Sequence, residues 1–148
     1  MPISVVIIED DDLCAYIVQF MLKQLIPHAD IIHFTSAETA MEYFDSRIAK
    51  ACANGGSPAP DLIFLDIHLK GIDAWQFLET YRRQLTEFFG QSQIWVMTNG
   101  IEYTWNHRAE NEPLVKGIII KPLEKPQLQS IIEALKEQRS SYDSSSGR

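Results

Sequence analysis

Four short stretches carry the groups able to do chemistry: Glu9-Asp10 after the apolar run Val5–Ile8, Asp66 after Leu62–Leu65, Thr98 after Ile94–Met97, and Lys121-Pro122 after Ile118–Ile120. Three carboxylates offer hard oxygen ligands of the kind a divalent cation takes. The lysine ammonium is a mobile point charge for an anionic oxygen, and the threonine hydroxyl a hydrogen-bonding group beside it. Each group follows a run that reads as a buried β-strand. In an open parallel sheet all such strand ends lie along one edge, where α/β folds place their ligands. The pattern therefore predicts that these groups converge.

Taken singly, each has an ordinary explanation. Glu9-Asp10-Asp11-Asp12 is equally an acid cluster favoured by the dipole at a helix N-terminus. Asp66 alone is a loop aspartate, Thr98 a polar residue leaving a strand, and Lys121 a surface lysine. His28, His33 and His107 have no partners at metal-ligand spacing and read as solvated or satisfied side chains, whereas His68 lies beside the site. Only the joint occurrence singles out a reaction centre.

The elements that must position these groups alternate between strand and helix. Val5–Ile8 is continuous and β-branched, as in a central strand covered on both faces. Asp11 or Asp12 caps a following helix in which Leu13, Ile17, Met21 and Leu25 recur every four residues until Pro27 stops it. Ile31–Phe34 is a shorter strand, and Ser36 caps a helix over Ala37–Lys50 with Ala40, Phe44 and Ile48 on one face. Asn54–Pro60 is a turn-rich loop. Then follow the strand Leu62–Leu65, a helix over about Ala74–Phe88 and the strand Ile94–Met97. Gly100 and Pro113 bound a short helix near Glu102–Glu110. After the strand Gly117–Ile120, a last helix runs from about Glu124 to Gln138, with Leu128, Ile131, Ile132 and Leu135 as its buried stripe. The expected organisation is one domain over residues 1–139 and a flexible polar tail over 140–148. Five βα units with right-handed crossovers make an α/β, doubly wound parallel sheet with helices on both faces. No internal repeat is evident.

Composition narrows the function classes. With 148 residues, 45% apolar and 22% charged, the chain buries a sizeable core and leaves little room for a second domain. The apolar runs are too short and punctuated for a membrane span, and no signal-peptide pattern opens the chain. Cys14 and Cys52 match no metal or redox spacing, so both read as reduced thiols in a cytoplasmic protein, Cys14 packed inside and Cys52 near a loop. A net charge of -7 argues against direct nucleic-acid binding, which needs clustered cations.

VVIIEDDD (Val5–Asp12), DLIFLDIHLKGIDA (Asp61–Ala74), IWVMT (Ile94–Thr98) and GIIIKPL (Gly117–Leu123) resemble the signature segments of the receiver domain of bacterial response regulators. The resemblance covers about residues 3–138, in the right order and, one longer loop apart, at the usual separations. It implies a flavodoxin-like (βα)5 fold with a five-stranded parallel sheet of order 2-1-3-4-5. It also implies that Asp66 accepts a phosphoryl group from a sensor histidine kinase or a histidine phosphotransfer protein. On that reading Asp10 and Asp66 bind Mg2+ (or Mn2+), Glu9 does so directly or through water, and the backbone carbonyl of His68 is a further ligand by analogy. Lys121 neutralises a phosphoryl oxygen, Thr98 hydrogen-bonds the acyl phosphate, and Lys121-Pro122 is a candidate cis bond. A carboxylate attacks an anionic phosphoryl donor poorly unless a cation bridges the two.

Several residues depart from the family pattern. Ile118 occupies a position that often carries Tyr or Phe and turns inward on phosphorylation. Asn99 follows Thr98 where a small residue is common, Lys70 stands where many members have proline, and His68 and Gly100 occupy positions that tune acyl-phosphate lifetime. The expected switch pulls Thr98 and Lys121 toward the new charge and reshapes the surface of the fourth helix, fifth strand and fifth helix. Tyr103 and Trp105 are either partner contacts there or core packing. The chain ends soon after the last helix, so the expected output is a stand-alone receiver acting through a downstream protein partner; a homodimer through the fourth and fifth helices is an expectation from the resemblance alone. The alternative is an interaction scaffold of receiver fold that works without phosphorylation. A phosphohydrolase is disfavoured, since His68 stands where such enzymes commonly place a second aspartate.

Overall fold

Every apolar run read as a strand is one: β1 Ser4–Ile8, β2 Asp30–Phe34, β3 Leu62–Asp66, β4 Gln93–Thr98 and β5 Val115–Ile120. The computed structural model describes residues 2–100 and 103–146, with the backbone alone for 103–106 and 142–146. All neighbouring strands are parallel, in the order β2-β1-β3-β4-β5. Parallel neighbours need crossovers, and helices supply them: α1 Asp12–Leu25, α2 Ala37–Asn54, α3 over 74–89, α4 Tyr103–Glu110 and α5 Lys125–Ser146.

Strand side chains alternate between two cores. Val6, Ile8, Ile63 and Leu65 pack with Phe44 of α2, Phe77 of α3 and Ala109 of α4. Val5, Ile7, Leu62 and Phe64 pack on the other face, with Ala15, Val18 and Leu22 of α1 and with Leu128, Ile131, Ile132 and Leu135 of α5. The α5 stripe is the expected one. Asp11 caps α1, its Oδ1 accepting from Leu13 and Cys14 N–H at 2.9 and 3.1 Å, and Ser36 Oγ accepts from Thr39 N–H at 3.2 Å to cap α2.

Helix details differ from expectation in four places. The four-residue repeat in α1 identifies the helix but the wrong face, because Leu13 and Ile17 are exposed while Ala15, Val18 and Leu22 are buried; a strict spacing of four drifts about 40° per step. Cys14 is accordingly half-buried rather than packed inside. Helix α2 runs on to Asn54 and ends at Gly55, whose φ of 81° favours glycine. Helix α3 consists of Ala74–Thr80, a π-helical turn Tyr81–Leu85 and Thr86–Phe89. There the Thr86 hydroxyl donates back to the Tyr81 and Arg82 carbonyls at 3.1 and 3.2 Å, competing with the ordinary ladder. Helix α5 continues past Gln138 to Ser146, since no glycine or proline interrupts it before Gly147.

Candidate functional site

Strand order brings the separated polar groups together. β1 and β3 are neighbours with Ile8 beside Leu65, so Glu9 and Asp66 leave the sheet side by side. β4 flanks β3 with Met97 beside Asp66, and β5 flanks β4 with Ile120 beside Thr98. Connections run to opposite faces of the sheet from β1 and β3, which makes the gap between these strand ends the crevice where open α/β sheets bind ligands.

Glu9, Asp66 and Thr98 are buried, Asp10 is half-buried, and one carboxylate oxygen from each of Glu9, Asp10 and Asp66 lies within 4.8 Å of the others. Lys121 reaches over from the end of β5, its Nζ donating to Glu9 Oε2 at 2.8 Å and standing 3.4 Å from Asp66 Oδ1. Backbone amides hold the carboxylates in place. Asp11 N–H donates to Glu9 Oε1 at 3.2 Å, His68 N–H to Asp66 Oδ1 at 3.1 Å, and Lys70 N–H to Asp10 Oδ2 at 3.3 Å. His33 Nε2 lies 2.7 Å from the Glu9 carbonyl oxygen, fastening β2 to the site. Gly100 N–H donates to Thr98 Oγ1 at 3.2 Å, in a turn whose φ of 80° favours glycine. The Lys121-Pro122 bond is cis, as expected.

Electrostatics set the charge states. Burial, with Asp66 beside it, pushes the Glu9 carboxyl up to about 7, against the opposing pull of Lys121. Burial works to lower the Lys121 pKa, but the hydrogen bond to Glu9 and the charges of Asp66 and Glu9 outweigh it, and the net shift is upward. The arrangement is thus a cluster of oxygen donors crossed by one ammonium. Hard oxygens at this spacing suit a magnesium-like ion, which uses one or two carboxylates and keeps several waters.

The structure brings Glu9, Asp10, Asp66, Thr98, Lys121 and Pro122 into one place. Ile118 lies apart, half-buried against the core beneath α2, α3 and α4. The Tyr103 and Trp105 side chains lie outside the described residues. Sequence reasoning missed His33 and the Lys70 amide, because neither carries a spacing signal. It also missed the Arg108 guanidinium, whose Cζ stands 4.4 Å over the Trp75 ring centroid and joins α4 to α3.

No protein-family model matches the chain, and no curated protein matches it either. Solved structures do. A two-component response regulator from Cytophaga hutchinsonii matches with a TM-score of 0.74 at 20% identity, covering 93% of this chain and 99% of that one. A two-component response regulator from Legionella pneumophila matches at 0.75 and 20% identity, over 91% and 98%. The BeF3-activated receiver domain of DrrB matches at 0.67 and 14% identity, over 93% and 99%. The chain has the flavodoxin-like fold of receiver domains. Among the described residues no helix is long and apolar enough to cross a membrane.

Proposed function

We propose that this chain is a phosphoacceptor receiver of a two-component phosphorelay, in which Asp66 takes a phosphoryl group from a phosphohistidine. The observation that carries this reading is the placement of Lys121 Nζ between Glu9 and Asp66 at the mouth of a three-carboxylate cluster. A carboxylate oxygen of Asp66 attacks phosphorus, the P–N bond breaks, and the imidazole nitrogen leaves with the electron pair and is reprotonated. Glu9, Asp10 and Asp66, with the His68 carbonyl, would hold Mg2+ or Mn2+, which would neutralise the charge that builds up as the carboxylate meets the anionic phosphoryl group.

The other groups act on the product. Lys121 leaves Glu9 to neutralise a phosphoryl oxygen, and Thr98 donates its hydroxyl to the acyl phosphate. Moving these two, which end β4 and begin the turn after β5, biases the surface of α4, β5 and α5 toward a downstream protein partner. Chemistry on this chain is limited to phosphoryl acceptance and loss of its own acyl phosphate, in a cytoplasmic setting that suits free Cys14 and Cys52.

The test is transfer from a radiolabelled phosphohistidine domain. The label should move to wild type, be released by hydroxylamine as an acyl phosphate is, and fail to appear on Asp66→Asn. A label retained by Asp66→Asn contradicts the assignment. Ile118, aliphatic and half-buried, favours one second reading, a scaffold of the same fold that binds its partner without phosphorylation; equal partner binding by wild type and Asp66→Asn would select it.

A further inference from the structure

Helix α1 is apolar on two faces. One packs inward through Ala15, Val18 and Leu22. The other is in solvent: Leu13 is 68%, Tyr16 64%, Ile17 43% and Phe20 53% exposed. These four stand at i, i+3, i+4 and i+7, so they fall within a stripe about 100° wide. The Tyr16 and Phe20 rings stack with centroids 6.4 Å apart. Apolar residues scattered singly on a surface need no explanation, but a continuous patch marks an interaction site.

We propose that α1 is a self-association surface, on which a second copy of this chain lays its own α1 antiparallel about a two-fold axis level with Tyr16 and Ile17. Charge selects both the occupant and the direction. Asp12 and Lys23 are exposed and, eleven residues apart, lie only about 20° from each other around the helix, on one flank of the stripe and at opposite ends of it. In an antiparallel two-fold pair each flank meets its own copy. With the axis between Tyr16 and Ile17, Lys23 of one copy comes within about 3 Å along the helix of Asp12 of the other, twice over. The opposite flank then sets Cys14 against Met21, both half-buried. In a parallel pair Lys23 would instead face the Cys14 and Met21 flank, on which α1 itself carries no charge. Stripe, flanks and charges are therefore self-complementary in one arrangement. A contact of one helix per copy sits at the small end of specific interfaces, below about 1,200 Å2 in total, so the dimer is concentration-dependent.

Sedimentation velocity over a concentration series of the full chain tests this and is independent of any phosphorylation. Wild type should dimerise with increasing concentration and Phe20→Glu should remain monomeric. Lys23→Glu, which sets two acids together, should weaken the dimer at least about tenfold. The exchanged variant Asp12→Lys/Lys23→Glu should restore it. All three changes are at exposed positions, and circular dichroism should show the fold kept. A wild type that is monomeric at the highest concentration overturns the proposal, the stripe then belonging to a different protein. A dimer indifferent to Phe20→Glu also overturns it, as does an exchanged variant no tighter than Lys23→Glu.

Discussion

Glu9 is where burial and charge pull against each other. Its side chain is wholly buried and its only cation is Lys121 among the described residues, and burial holds its carboxyl near 7 against an ordinary value of 4.5. The folded protein therefore keeps a proton on Glu9 that the unfolded chain releases between these two values. Stability from this residue is present below about 4.5 and is lost as pH rises toward 7, opposite to an ordinary salt-bridged carboxylate. Metal-free thermal melts should show wild type losing ground to Glu9→Gln across that window; a pH-independent difference would mean that Glu9 ionises alike in both states. Lys121→Met removes the ammonium from the proposed phosphoryl site and should slow phosphoryl uptake by about 10²-fold, as loss of a positioned charge does. Stopped-flow fluorescence with a small phosphodonor measures it, and an unchanged rate would remove Lys121 from the mechanism.

At the scale of elements, the sheet was the most legible part, because each central strand is a bounded apolar run. Helix faces were harder. In α1 both faces are apolar, so periodicity finds the helix without saying which side packs, and only the tertiary structure assigns Ala15, Val18 and Leu22 to the core. The π turn in α3 was illegible, since it arises from the Thr86 hydroxyl rather than from any hydrophobic spacing. Gly117 in β5 shows a different constraint. A Cβ there would run into the Trp95 ring, which lies across the strand pair. Gly117→Ala should thus cost about 1–3 kcal/mol by overpacking, read from urea unfolding, and Trp95→Leu in the same chain should recover part of it. An Ala variant as stable as wild type would show that the ring moves aside freely.

Across the whole molecule, parallel order turned a list of strand-end residues into a site. That convergence was readable in the sequence because the carboxylates, Thr98 and Lys121 each follow a buried run, and parallel strands have their ends on one edge. What holds the site was not readable: amides of Asp11, His68 and Lys70 on the three carboxylates, and the His33 ring on the Glu9 carbonyl. Nor were the links from α3 to the region of the proposed switch, where Arg108 covers Trp75 and Arg82 pairs with Glu112.

The most direct test of phosphoryl acceptance at Asp66 is intact-mass spectrometry after incubation with acetyl phosphate, with and without Mg2+, for wild type and Asp66→Asn. A single phosphoryl adduct is expected on wild type, dependent on Mg2+ and missing from Asp66→Asn. An adduct that survives the substitution, or a wild type that remains unmodified and does not take up beryllium fluoride with Mg2+, would contradict it.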